Sequence, residues 1–323
     1  MGYCVPGDAA RIPSGLFFRR GVARVSGPSL RLGGVRGYGD IRVGVALGVT
    51  IVIWASAFAA IRAGLEGYTP GHLVLLRFLV GSALLVVYAA ATRMPPPAWR
   101  DVPAVLVGGF LGFFGYHVGL SFGEVTVEAG SASLIIASVP VFTALLAVAF
   151  LGERLGTLGW IGTLVSFGGV ALISAGEGGS LGIDPGAVPI LLAAVSESLY
   201  FVLQKPYLTK YGSLRFTTYA IWAGTLSMLV FAPGLPGTVA SAPAGATLSV
   251  VFLGIFPTVV AYLSLGYAFA RMPASNGTSF LYLVPGLAFL VAWVWLGEVP
   301  TALSVVGGVV ALTGVVLVNA KRR

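Results

Sequence analysis

The feature that most constrains this chain is a succession of long apolar segments. From residue 43 onward they follow one another with only short polar breaks, and each approaches the ~20 residues that a helix needs to cross ~30 Å of hydrocarbon. They fall at 43–64, 71–92, 102–122, 128–151, 156–175, 186–204, 214–232, 247–270, 275–296 and 300–319. Charged residues make up 9% of the chain and hydrophobic ones 57%, against about 25% charged in an ordinary soluble domain. So little polar material cannot coat a water-soluble body, which excludes a soluble enzyme, a disordered chain and a nucleic-acid-binding module. The expectation is an all-α membrane protein of ten transmembrane helices.

The net charge of +8 has its explanation in where the basic residues lie. The segment before the first span carries Arg11, Arg19, Arg20, Arg24, Arg31, Arg36 and Arg42. The loops leading from an even-numbered to an odd-numbered span carry Arg93, Arg100, Arg154, Lys205, Lys210, Arg215 and Arg271, and the chain ends Lys321-Arg-Arg323. The two remaining arginines, Arg62 and Arg77, sit within or at the end of spans, and the opposite loops hold no Lys or Arg but acids such as Glu66, Glu124, Glu128, Glu177, Asp184 and Glu298. The positive-inside rule then puts both termini in the cytoplasm, with the protein in the cytoplasmic membrane. The basic charge records topology rather than a nucleic-acid partner.

Residues 1–42 hold no apolar run long enough for a signal-peptide core, so the first span is expected to act as its own uncleaved insertion signal. Their mixture of Gly, Pro, Ser and Arg predicts a disordered basic tail. The single cysteine, Cys4, removes a disulfide framework and any cysteine-based metal site. No metal and no cofactor is expected: the two histidines, His72 and His117, are far apart in sequence and nothing has metal-ligand spacing.

The chain also repeats itself. Ser138-Val-Pro-Val-Phe142 leads into Phe150-Leu-Gly-Glu153, and Leu283-Val-Pro-Gly-Leu287 leads into Trp295-Leu-Gly-Glu298. Pro140 and Pro285 have the same separation as Glu153 and Glu298; at that offset Ser133 falls on Thr278 and Gly162 on Gly307. One five-helix unit occurs twice, as residues 43–182 and 183–320, before a basic end at 321–323. Because five is odd, the second copy must enter the membrane inverted, and the loop charges agree: Arg154 follows Glu153, but no basic residue follows Glu298 before the next span. Inverted repeats of this kind are the architecture of secondary transporters.

These residues resemble paired EamA domains of the drug/metabolite transporter superfamily. The likeness covers 43–320 and is carried by Trp54-Ala-Ser-Ala-Phe58, Leu76-Arg-Phe78, Ala129-Gly-Ser-Ala-Ser-Leu134, Pro140, Leu151-Gly-Glu-Arg-Leu155 and the second set ending at Glu298. It implies a multi-pass permease, most often an exporter of metabolites, amino acids or drugs. The rival reading is a flippase for a lipid-linked headgroup. An intramembrane enzyme lacks its constellation here: there is no Asp pair, no His-Glu-x-x-His and no nucleophile with a base beside it.

Inverted-repeat carriers bind substrate near the midplane, between the halves, where helices are interrupted. Pro140 and Pro285 are the candidate hinges, each expected to kink its span and free a carbonyl four residues earlier, at Ile136 or Leu281. Glu197, inside Ser196-Glu-Ser-Leu-Tyr200, lies mid-span, where a charge costs at least ~2.5–3.5 kcal/mol unless it faces a cavity or a partner. It is read as a proton-coupling carboxylate or a counter-ion for a substrate amine, against a structural role holding its span in place. Arg77 is the partner of opposite sign, able to clamp a substrate carboxylate, pair with Glu197 or bond backbone carbonyls. His117 is a relay candidate or a packed, hydrogen-bonded core group.

Trp54, Tyr116, Tyr200, Trp222, Tyr262 and Tyr282 offer rings for an organic substrate, with Glu197 and Tyr200 the preferred pair because they share a helical face. Ser133 and Asn276 are path-lining or helix-bonding candidates. Gly108, Gly112, Gly115, Gly119 and Gly123 predict a close-packed helix seam. Glu153 and Glu298 are expected to cap the helices that follow them. The expected partners are a small-molecule substrate and the lipid bilayer; protons and a second copy of the chain, as a homodimer, stay open.

Overall fold

The computed structural model describes residues 41–151, 156–177, 184–269 and 283–319, and every regular element among them is helical. The elements are α1 (Ile41–Leu65), α2 (Pro70–Ala91), α3 (Val102–Gly109), α4 (Tyr116–Gly123), α5 (Ala129–Ile136), α6 (Val139–Leu151), α7 (Thr157–Glu177), α8 (Ala187–Tyr211), α9 (Ser213–Met228), α10 (Leu235–Ser241), α11 (Ala244–Ile255), α12 (Ala261–Phe269), α13 (Val284–Leu296) and α14 (Ala302–Asn319). The tail 1–40, Glu153, Asn276 and Tyr282 lie outside the described residues.

Five helices among the described residues are long and apolar enough to span a bilayer: Ile41–Leu65, Pro70–Ala91, Trp99–Gly123, Ala187–Gln204 and Ala244–Leu265. A sixth is possible if the pair Ser213–Phe231 and Leu235–Ser241, bent by 86°, is one crossing. Among the described residues the other apolar helical stretches are shorter: Ala129–Thr143, Thr157–Ile173, Val284–Leu296 and Ala302–Leu317. Of the ten spans expected from the sequence, the described residues show five, or six with the bent pair, as helices of crossing length. At the bend, Gly234 adopts φ 82°, and His72 of α2 pins the turn through the carbonyl of Pro233 at 3.0 Å and the hydroxyl of Thr238 at 2.9 Å.

The interruptions follow local rules. The fourth apolar stretch, expected as one kinked span, stops at Ile136 and restarts at Val139 after a turn at Ala137 and Ser138. Pro140 is the second residue of the new helix, where its missing N–H would be unpaired in any case, so the break precedes the proline rather than following from a lost bond inside a helix. Pro285 is likewise in the first turn of α13. Two π-helical turns, Phe110–Gly115 between α3 and α4 and Phe256–Val260 between α11 and α12, widen the helix locally. They fall at nearly the same place in the two copies of the sequence repeat, as do the starts of α6 and α13, Val139 and Val284.

Packing between the copies comes in matched pairs. α1 lies against α11 and α12, and its counterpart α8 against the first π turn and α4. α2 meets α11 as α9 meets α3, and α1 meets α13 as α8 meets α6. α7 and α14, corresponding helices, form the most extensive pairing of all. Their backbones touch: a Cβ placed on Gly169 would stand 2.3 Å from the amide nitrogen of Ala311, and one on Gly314 2.3 Å from that of Ser166. The glycine seam expected on the third span runs along α8, with Gly112 against the ring of Tyr200, Gly115 against Ser196, Gly119 against Ala193 and Gly123 against Ile190.

Candidate functional site

The interruptions enclose a cavity of about 340 Å³ between the helices. Its wall takes Trp54, Phe58 and Ile61 from α1, Arg77 from α2, Tyr116 and His117 from the start of α4, and Ser133 from α5. Thr143 of α6, Glu197 and Phe201 of α8, Pro257 and Tyr262 at the second π turn, and Pro285 of α13 complete it. Most of this wall is apolar, with a few ionisable and polar groups, as small-molecule sites usually are.

Glu197 is held by its neighbours in sequence. Ser196 donates to the carbonyl of Leu111 in the first π turn at 2.8 Å, and Ser198 to the carbonyl of Val139 at the broken helix at 3.0 Å. The carboxylate between them is thus fixed where the π turn and the break face each other. It is 7% exposed, and its Oε2 has no hydrogen-bond partner among the described residues. Arg77, 3% exposed, donates from Nε to Oγ1 of Thr258 at 3.1 Å, and Thr258 in turn donates to the carbonyl of Leu253 at 2.9 Å. Of the roles open to Arg77, ion pairing with Glu197 is not the one adopted: among the described residues the ion pairs are Arg62–Glu298 and Lys210–Asp101. One acid and one base therefore face the same cavity, neither ion-paired among the described residues.

His117 is packed but not hydrogen-bonded. Both ring nitrogens are buried without hydrogen-bond partners among the described residues, and the ring sits 4.8 Å from that of Phe78 and 4.6 Å from that of Tyr116. Trp54 donates from Nε1 to the carbonyl of Pro257 at 3.4 Å and meets Tyr262 edge-on at 5.5 Å. Ser133 lines the cavity, its hydroxyl turned to the carbonyl of Gly130.

Tyr200 departs from the expected pairing with Glu197. Its ring is absent from the cavity wall and is packed over Gly112, 5.5 Å from Phe113 and stacked on Phe216 at 6.4 Å. Three residues along a helix turn a side chain by about 60° from its predecessor's direction, enough to carry Tyr200 into the α3–α8 seam. Trp222 is likewise off the wall, donating to the carbonyl of Ser82 at 3.4 Å. Sequence reading missed Thr258, whose only signal in the sequence was its place beside Pro257.

Glu298 does not cap the helix that follows it. Its Oε1 pairs with Nε of Arg62 at 3.0 Å and its Oε2 accepts from the amide N–H of Ala129 at 3.0 Å, so it caps α5 in the other copy. At the far end of the bundle Lys210 pairs with Asp101, whose carboxylate raises the lysine above its usual range.

Comparison with known proteins fits this architecture. The model of the EamA-like transporter family matches twice, over residues 42–175 and 184–320. An uncharacterized transporter of Bacillus subtilis, YdfC, is 47% identical over 85% of this chain and 90% of its own length. A probable terminal-alkyne amino-acid exporter of Streptantibioticus cattleyicolor is 44% identical over 85% of this chain and 92% of its own. A solved crystal structure aligns with a TM-score of 0.57 at 21% identity, covering 86% of this chain and 96% of the other, a likeness of fold. With its apolar helices, its central cavity and two matches to one family model, the chain is a multi-pass membrane protein belonging to the EamA-like transporter family.

Proposed function

We propose that this protein is a secondary transporter that exports a small zwitterion with an apolar side chain, an amino acid or a close analogue, by alternating access between two inverted five-helix halves. The observation that carries the reading is that Glu197 and Arg77, which form no ion pair among the described residues, face one largely apolar cavity. A buried charge without a counter-charge is costly, and a substrate bearing both signs supplies both partners at once. Arg77 receives the substrate carboxylate, Glu197 its ammonium, and Trp54, Phe58, Ile61 and Tyr262 the apolar body. The name of the Streptantibioticus relative, an amino-acid exporter, points the same way.

The inverted arrangement is supported by the matched contacts between corresponding helices, which a pseudo-twofold axis generates in pairs. Spans interrupted at the same point of each half supply a hinge on each side of the cavity, at the turns before Pro140 and Pro285. Glu197 serves ammonium and proton alternately, which makes the cycle an exchange of substrate for protons.

The test is counterflow and pH-driven transport in proteoliposomes with an apolar amino acid, its N-acetyl derivative and its methyl ester. Wild type should prefer the free zwitterion. Glu197→Gln should lower its transport at least tenfold and lose the response to a pH gradient, with protein yield unchanged. Wild-type transport by Glu197→Gln, or equal handling of the three compounds, overturns the reading.

A further inference from the structure

A second buried acid lies outside this scheme. Glu124 follows α4 directly, just beyond the apolar span that ends at Gly123; it is 0% exposed, and neither carboxyl oxygen has a hydrogen-bond partner among the described residues. It adjoins the contact that ties the two copies together at this end of the bundle. Arg62, on the last turn of α1, pairs with Glu298 through Nε while its Nη1 donates to the backbone carbonyls of Glu124 at 2.7 Å and Val125 at 3.2 Å. Glu298 simultaneously caps α5 at Ala129. One guanidinium and one carboxylate therefore bind the end of α1, the end of α4, the start of α5 and the link between α13 and α14.

The charged groups facing Glu124 are Arg62 from α1, Arg77 from α2 and Glu298 from the α13–α14 link. Asp184, ahead of α8, is engaged by the Thr126 hydroxyl at 2.7 Å and the Gly186 amide at 2.6 Å. On the preceding helix, His117 faces the cavity. Burial pushes the Glu124 carboxyl well above its usual range; Arg62 and Arg77 oppose the shift and Glu298 adds to it.

We propose that Glu124 is a proton-binding site that sets the Arg62–Glu298 latch. Protonated, Glu124 leaves Arg62 to Glu298 and the latch is closed, the arrangement seen here. Ionised, Glu124 takes the guanidinium whose Nη1 already contacts its own main chain, so the exchange needs side-chain rotation only. Glu298 then loses its counter-charge, its hold on the α5 N-terminus weakens, and this end of the bundle is released. A carboxyl whose value is raised in the closed form favours that form at low pH, and the closed form is lost as pH rises through the raised value. That release opens the cavity follows only if the transport reading above holds; the latch itself does not depend on it.

The experiment is pulsed EPR on protein in lipid nanodiscs, carrying Cys4→Ser with nitroxides at Val125→Cys and Val299→Cys, both exposed positions flanking the latch. The short-distance population should dominate at acid pH and yield to a longer one as pH rises, the ratio changing by up to ~tenfold per pH unit as expected for one proton. Glu124→Gln should hold the short distance at every pH, Glu298→Gln the long one, and Glu124→Asp should keep the response with a moved midpoint. A pH-independent distribution in wild type, or a wild-type response in Glu124→Gln, overturns the proposal. The distances are read without substrate, so a responsive latch in a protein that carries no zwitterion would refute the transport reading alone.

Discussion

The cavity is set by contacts one residue removed from the charged groups themselves. Ser196 and Ser198 grip the π turn and the helix break, and Thr258 orients Arg77. Hydrogen bonds to charged groups are worth about 1.5–3 kcal/mol, so Thr258→Val should raise the substrate concentration for half-maximal transport by about 10- to 100-fold with little change in protein yield; Thr258→Ser should restore it. Arg77→Lys keeps the charge but loses the planar fork, and is expected to bind zwitterion more weakly than wild type in a tryptophan-fluorescence titration reporting on Trp54. Glu197, Arg77 and His117 were legible in the sequence because an ionisable residue in an apolar run is conspicuous. Thr258 was not, since a hydroxyl in such a run is ordinary. Nor was the partner of Glu298, which lies 169 residues away at Ala129.

At the scale of helices, the apolar pattern located the five long crossings that the described residues show, but not the interruptions within the apolar runs. Hydropathy averages over a turn, so the break at Ala137–Ser138 and the widened turns at 110–115 and 256–260 leave no mark in it. Prolines 140 and 285 marked the right neighbourhood, although the helices begin at them rather than bend through them. The glycine seam was legible because small residues four apart have one common use in a membrane helix. Its members are not equivalent, which makes a sharp comparison. A Cβ on Gly108 would meet the nearest atom, on Phe216, at 3.5 Å, whereas one on Gly112 would stand 2.4 Å from Cγ of Tyr200. Gly108→Ala should be neutral or raise the unfolding temperature in detergent, while Gly112→Ala should lower it, at a cost of about 1–3 kcal/mol. Smaller losses from Gly112→Ala than from Gly108→Ala would contradict the packing described here.

For the molecule as a whole, the repeat read from a few short motifs reappears as paired contacts and as a family model matched twice. Inversion makes a direct prediction. On a Cys4→Ser background, a cysteine at Gly156, ahead of α7, and one at Thr301, ahead of α14, occupy corresponding exposed positions. They should react with a membrane-impermeant maleimide from opposite sides of intact cells or oriented vesicles; labelling from the same side would refute the inverted plan. In the proposed alternating-access cycle the close α7–α14 pairing, backbone against backbone at Gly169 and Gly314, is the part expected to stay fixed. Gly169→Leu should therefore abolish folded yield rather than alter transport kinetics.

The carboxylate of Glu298 reaching across to Ala129 ties the history of the gene to the folding of its product. Neither half, made as a separate polypeptide, would be self-sufficient: the first would leave its fourth membrane segment with an open amide mouth and a stranded guanidinium, and the second would carry an acid with nothing to neutralise. Once the duplicated copies began to finish each other's helix ends, fission back into two independent carriers would have required both to be repaired at once.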